Sequence, residues 1–246
     1  MEYYLISNTG NREHNEDAAI AQMCEYNGEE SMLFALADGL GGHGRGEVAS
    51  ALVTETAREI FQQAENMENL LKLIFEESQK RLLTLQKKEH AEDEMKTTAV
   101  ILLVTKQWMQ WGHIGDSRLY FFRNGMLVKR TLDHSVPQML VISGEIRESQ
   151  IRNHPDRNRL LKVMGVDWEK PGYTISEVVK RKGNERFLLC SDGFWENIKE
   201  RNMIWSMWRN KSAKEWLIDM DKMVQKNGTG KDMDNNTAIA VKCNFK

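Results

Sequence analysis

Trp108–Thr131, WMQWGHIGDSRLYFFRNGMLVKRT, is the stretch on which the reading of the fold turns. Three short β-rich runs, Trp108 to Ile114, Arg118 to Arg123 and Met126 to Thr131, follow one another here. Asn124-Gly125 lies between the last two, and this dipeptide favours the positive φ angles of a type I′ hairpin turn. Much of the sheet is therefore expected to be antiparallel. Outward from this hairpin, similar runs occur at Tyr3 to Ile6, Ser31 to Ala37, Thr98 to Thr105, Tyr173 to Val179, Arg186 to Cys190 and Thr237 to Cys243, nine strands in all.

Helical spacing follows the second run in two blocks. Glu47 to Gln63 places Val48, Ala51, Leu52 and Ile60 on one side, and Asn69 to Lys88 does the same with Leu70, Leu71, Ile74, Leu82 and Leu85. Two long consecutive helices suggest an antiparallel pair. Further on, Ser212-Ala213-Lys214-Glu215 reads as a capping box opening a helix that carries Trp216, Leu217, Met220 and Met223, preceded by a helical stretch around Ile204 to Trp208. Trp205, Trp208 and Trp216 recur at helical spacing and are expected to pack this pair onto the sheet, the alternative being that an exposed Trp there marks a partner surface. Runs of strands interrupted by helix pairs point to an α+β class. All three prolines, Pro137, Pro155 and Pro171, fall between two strands, so residues 136–172 read as an inserted flap in a single domain spanning 1–246.

The 246 residues are 41% apolar, with 34 basic and 36 acidic side chains, a formal charge of -2. That balance gives no overall pull toward nucleic acid or an anionic membrane, so a polyanionic substrate must be held locally. Cys24, Cys190 and Cys243 are too few and too scattered for a disulfide framework or a C-x-x-C metal site. The N-terminus lacks a signal-peptide pattern, and the longest apolar run, Ala99 to Val104, is too short to span a bilayer. A cytoplasmic protein in a reducing compartment is expected.

Carboxylates recur just beyond strand ends: Asp38, Asp116 and Asp192 each follow a run, Asp234 precedes the last one, and Glu16-Asp17 follow the first by a loop. Acids gathered from such positions repel one another and are stable near neutral pH chiefly around divalent cations. Oxygen-only ligands favour Mg²⁺ or Mn²⁺ over Zn²⁺, with one acid such as Asp38 bridging two ions roughly 3.5–4 Å apart. A water held between such ions is acidified and suits in-line attack on phosphorus. Arg12 is the candidate phosphate clamp, because a guanidinium donates two parallel hydrogen bonds. Each piece alone has a plain alternative: Asp38-Gly39 and Asp192-Gly193 are ordinary turn dipeptides, and Gly41-Gly42-His43-Gly44 is a flexible turn.

Taken in order, Arg12-Glu13-His14-Asn15-Glu16-Asp17, Ala37-Asp38-Gly39-Leu40-Gly41-Gly42-His43, Gly115-Asp116-Ser117-Arg118, Asp133-His134-Ser135, Cys190-Ser191-Asp192-Gly193 and Asp234-Asn235-Asn236-Thr237 resemble the metal-dependent protein phosphatase (PPM, type 2C) family, and His154-Pro155 with Arg157-Asn158 resembles its bacterial branch. The resemblance implies a four-layer αββα sandwich, two mostly antiparallel sheets flanked by helix pairs, with a dinuclear Mn²⁺ or Mg²⁺ centre that hydrolyses phosphoserine and phosphothreonine in proteins. It implies that Asp38 bridges the metals, that the Gly39 carbonyl, Asp192 and Asp234 complete the pair, and that Asp17, with Glu16 beside it, binds directly or through water. Asp116 matches the position that, with Asp192, holds a third, weaker ion, and Arg12 matches the phosphate-binding arginine.

Animal members carry a histidine directly after the Asp-Gly, proposed as general acid, whereas Leu40 stands here; His43 is the nearest candidate, a structural hydrogen-bonding role being the plainer one. The family implies phosphoprotein substrates that are targets of a Ser/Thr kinase, and a monomer is expected, with no nucleic-acid or membrane partner. The alternative is a catalytically silent phosphoprotein-binding scaffold of the same fold, against which stands the presence of every metal-binding acid. A two-metal nuclease is disfavoured because no basic stripe with interleaved aromatics tracks a strand of phosphates.

Overall fold

A computed structural model describes residues 1–26, 28–40, 45–91 and 94–244, and within them Asn124 and Gly125 take φ of 51° and 82°, the two positive angles that a type I′ hairpin needs. The strands are β1 Glu2–Asn8, β2 Asp17–Tyr26, β3 Glu29–Asp38, β4 Ala99–Val104, β5 Trp108–Ile114, β6 Arg118–Arg123, β7 Met126–Arg130, β8 Thr174–Ile175, β9 Val179–Lys180, β10 Asn184–Cys190 and β11 Asn236–Asn244. The helices are α1 Gly46–Gln62, α2 Leu70–Glu89, α3 Val136–Ile142, α4 Asp192–Trp195, α5 Glu200–Arg209 and α6 Ala213–Gly228, with a 3₁₀ turn at Glu148–Asn153.

The strands form two sheets, ordered β1-β11-β10-β6-β7 and β2-β3-β4-β5-β8, with β9 also on β5, and every pairing is antiparallel. Phe34, Leu36, Val100, Leu102 and Trp111 face Leu119, Phe121, Phe187, Leu189 and Ile239 across the sandwich. Phe121 and Phe187 stack at 5.0 Å. On their other faces Leu33, Ala35, Ile101 and Leu103 meet α1 and α2, and Leu188, Cys190, Ala238 and Ala240 meet α5 and α6. β3 and β4 are thus covered on both sides, which is why they read as continuous apolar runs rather than alternating ones. The result is the four-layer α+β sandwich that the resemblance implies.

Four sequence expectations need correction. β2 is a full ten-residue strand that the sequence does not announce. It is an edge strand whose residues are mostly half-buried and partly alanine, a poor β former, so it shows neither alternation nor β-branched enrichment. The expected Tyr173 to Val179 strand is two two-residue pairings on β5, because Ser176 turns its hydroxyl and carbonyl to Trp111 N–H and Gln110. The buried stripe of α1 is Ala49, Val53, Ala57 and Phe61, one step round from the larger set expected, since small residues let the helix lie close on β3. Trp216 is fully buried, but Trp205 and Trp208 are 53% and 70% exposed and do not pack the helix pair onto the sheet.

Ser212 caps α6 as expected, accepting from Glu215 N–H at 3.0 Å while the Glu215 carboxylate accepts from Ser212 N–H. Residues 136–172 carry α3, entered by Pro137 in its first turn and capped by the Ser135 hydroxyl, and the 3₁₀ turn. No helix among the described residues is long and apolar enough to cross a membrane.

Candidate metal centre

Sheet register sets the site. Asp17 opens β2 directly opposite Asp38, which closes β3. Cys190, the end of β10, pairs with both Ala238 near the start of β11 and Arg118 at the start of β6, so Asp192, Asp234 and Asp116 leave their strands at one end of the sandwich. Asn8, the end of β1, pairs with Asn236, which carries the loop with Arg12 and Glu16 over that same end. Arg12, Glu16, Asp38, Gly39, Asp116, Asp192 and Asp234 line one cavity of about 810 Å³, with Leu40, Asn158 and Leu160 in its wall. Asp17 is not in the lining; it stands opposite Asp38 across the strand pair and accepts from the Ser191 hydroxyl at 2.9 Å. His43 lies outside the described residues.

Backbone anchors fix this rim. The Asp38 carbonyl accepts from the Thr97 hydroxyl at 2.8 Å and Thr98 N–H at 2.9 Å. A side chain on Gly39 would collide with the Gly46 backbone and stand 2.7 Å from the Glu16 carbonyl, so only glycine lets β3 end this close to α1. Asn235, quoted in the sequence motif without a role, is the organiser that residue-by-residue reading misses. Its amide donates to the Thr9 and His14 carbonyls at 2.7 and 3.0 Å and its oxygen accepts from Glu16 N–H at 2.8 Å, tying the Arg12 loop to the start of β11. The only sequence signal is an amide buried just before a strand, where a loop carbonyl needs a donor. Trp195 is a second such residue, donating its indole N–H to the Asp116 carbonyl at 3.0 Å.

Crowded carboxylates raise one another. Burial is the largest cause for Asp38, whose carboxyl is pushed well above the usual range, with the charges of Asp17, Asp192, Asp116 and Asp234 adding to it. Asp116 is raised well above the usual range by burial and by Asp192. Burial pushes Asp17 up to about 7 against the opposing hydrogen bonds of Thr237 and Ser191, and Asp192 up to about 6. His113 and His134, stacked at 4.6 Å behind the rim, are held neutral by burial, His134 down at about 3.

Whether this donor set suits a hard divalent cation is tested by its atoms. Every candidate ligand is oxygen, and Asp17 Oδ1 is buried with no hydrogen-bond partner, an acceptor left for a cation. The residues fit. They do not form a closed cluster as they stand: among the described residues no three His, Cys, Asp or Glu side chains are arranged to hold an ion by themselves. Asp234 is turned to Arg12, accepting from its Nε at 2.9 Å and Nη2 at 2.8 Å, so the expected clamp and an expected ligand are paired with each other.

The raised carboxyls give a signed pH dependence. Their folded pKa exceeds the unfolded value of about 3.9, so their protonated forms favour the fold and that stability is lost as pH rises from about 4 to about 7. In EDTA the melting temperature is expected to fall across this window, and the increment given by Mn²⁺ to be larger at pH 8 than at pH 5. Calorimetry in EDTA and in Mn²⁺ checks this; an increment independent of pH contradicts it.

Residues 7–234 match the family described as Protein phosphatase 2C. Over 241 residues the chain is 30% identical to the serine/threonine phosphatase stp of Listeria welshimeri, spanning 95% of this chain and 92% of that one. The crystal structure of the serine/threonine phosphatase Stp1 from Staphylococcus aureus matches with a TM-score of 0.86 at 28% identity, over 97% of this chain and 93% of that one. The catalytic domain of the serine threonine protein phosphatase PstP, solved in complex with 2 manganese ions, matches at 0.82 and 25% identity, over 99% of this chain and 98% of that one.

Proposed function

Since this chain belongs to the protein phosphatase 2C family, we propose that it is a protein-serine/threonine phosphatase that hydrolyses phosphoserine and phosphothreonine with Mn²⁺ or Mg²⁺ and no phosphoenzyme. The observation that carries this reading is the single cavity shared by Asp38, Asp116, Asp192, Asp234 and Arg12. Asp38, Asp192, Asp234 and the Gly39 carbonyl would hold two ions, with Asp17 and Glu16 directly or through water, and Asp116 with Asp192 a third. When bound, such ions supply a nucleophile from water at neutral pH and offset charge growing on the phosphoryl oxygens.

The chain's own residues do the rest. The Arg12–Asp234 pair is half exposed on both sides, 48% and 42%, so opening it costs at most about 1 kcal/mol. That leaves the guanidinium fork free to donate to two phosphoryl oxygens while Asp234 turns to a cation. Leu40 has no proton to give, so the leaving alkoxide takes its proton from water or from His43. Asn158 and Leu160 form the flap side of the cavity, a placement that suits the flap, residues 136–172 of one catalytic domain, to gating the substrate. Phosphoproteins made by a Ser/Thr kinase are the proposed substrates and signalling the role, by a monomer; the three free thiols suit the cytoplasm.

Phosphate release from a phosphothreonine peptide is expected with Mn²⁺ and lost in EDTA; equal rates in both overturn the reading. In the same assay Arg12→Ala is expected to raise KM on the order of tenfold and Arg12→Lys less, since an ammonium keeps the charge and loses the fork.

A further inference from the structure

A second cavity of about 640 Å³ opens one helical turn from the candidate metal centre, and its charge is unbalanced. Asp192 lines the first cavity and Glu196 the second, and Glu196 N–H donates to the Asp192 carbonyl at 2.9 Å across the single turn of α4. Arg152, Lys199, Arg201 and Lys231 also line the second cavity, from the 3₁₀ turn, the start of α5 and the loop before β11. Its two carboxylates are already taken: Glu200 accepts from Arg152 at 2.8 Å, and Glu196 accepts from Arg157 at 2.9 Å. Among the described residues no carboxylate pairs with Lys199, Arg201 or Lys231, whose nearest polar contact is Lys231 to the Asn197 amide oxygen at 3.5 Å. Arg152 Nε, in the wall, is buried without a partner. Three unpaired cations and a buried orphan donor in one concave site call for an anion.

We propose that this cavity receives a second anionic group of the substrate, a phosphate or a carboxylate about two to four residues from the scissile phosphoresidue. The inference rests on the phosphatase reading above. Asp192 and Glu196, which line the two cavities, stand one helical turn apart, about 5.4 Å, so the cavities adjoin, and an extended peptide spans about 7–13 Å in two to four residues at roughly 3.3 Å each. The site would therefore select multiply phosphorylated or acidic segments, and would not touch a small aryl phosphate.

The test compares six substrates of the full chain in Mn²⁺: p-nitrophenyl phosphate, a phosphothreonine peptide with neutral flanks, and that peptide with either a glutamate pair or a non-hydrolysable phosphonate three residues away on each side in turn. Wild type is expected to favour the glutamate or phosphonate peptide about tenfold in kcat/KM, mostly through KM, and less in high salt. Lys199→Ala/Arg201→Ala/Lys231→Ala, all exposed positions, is expected to abolish that preference and leave p-nitrophenyl phosphate and the neutral peptide unchanged. Lys199→Glu/Arg201→Glu is expected to reverse it toward a lysine-flanked peptide. Anisotropy of a labelled peptide carrying only phosphonates gives the same ranking without turnover, and whether phosphonate or glutamate wins identifies the source of the anion. No preference in wild type, or an equal loss on neutral and acidic peptides in the triple variant, overturns the inference alone. Failure of wild type to release phosphate from any of the six overturns the phosphatase reading and this inference with it.

Discussion

Asp38→Asn is expected to lower kcat on a phosphothreonine peptide on the order of 10³-fold, about 4 kcal/mol of transition-state stabilisation, while raising the melting temperature of the metal-free protein. The two effects have one cause. Asp38 stands where the charges of Asp17, Asp192, Asp116 and Asp234 all bear on it, in surroundings that desolvate it. An uncharged amide of the same shape relieves that repulsion and keeps the Thr97 and Thr98 hydrogen bonds, which go to the backbone carbonyl. It also removes the charge that would hold two cations together. A purely structural role predicts the reverse pairing, a lower melting temperature with activity falling in proportion to unfolding. Calorimetry in EDTA beside steady-state kinetics in Mn²⁺ separates them, and a variant that is both active and less stable sinks the assignment.

The strand ends that carry the acids are legible in the sequence because β3, β10 and β11 are apolar runs stopped by an acid, or begun just after one, with little between. Register does the rest: once β10 pairs with β6 and β11, Asp116, Asp192 and Asp234 have one end of the sandwich to go to. What escapes is decided by contacts between distant segments. β2 takes its strand identity from pairing with β3 and cover from α1, neither of which its own alanines announce. Trp208 keeps its exposed face because its indole N–H donates to the Gly125 carbonyl at 2.7 Å, a bond across 83 positions. Arg12 reads as a phosphate clamp from its chemistry, but its pairing with Asp234 depends on a loop closed by Asn235.

Asp133→Ala is expected to destabilise the protein by about 3–5 kcal/mol, because it strands a guanidinium that is almost wholly buried. Arg118 and Asp133 are each 1% exposed at their side chains, and Arg118 donates Nε at 2.8 Å and Nη2 at 2.6 Å to the two carboxylate oxygens. For a chain of this size that loss lowers the melting temperature on the order of 10 °C. Arg118→Met paired with Asp133→Leu is expected to recover much of it, since removing both charges also removes both desolvation costs. The effect should reach the active end as well. Arg118 lies 3.4 Å from the Trp195 ring, whose N–H holds the Asp116 carbonyl, and Arg130 ties Asp133 to Gln138 and Glu148 of the flap. Asp133→Asn keeps one acceptor for the guanidinium and is expected to lose less stability than Asp133→Ala, yet to loosen the flap side enough to raise KM for a peptide more than for p-nitrophenyl phosphate. Chemical denaturation of the single and double variants measures the first effect and paired kinetics the second. Additive single losses in the double variant would mean that Arg118 and Asp133 stabilise the fold independently, and the network from flap to Asp116 would have no energetic basis.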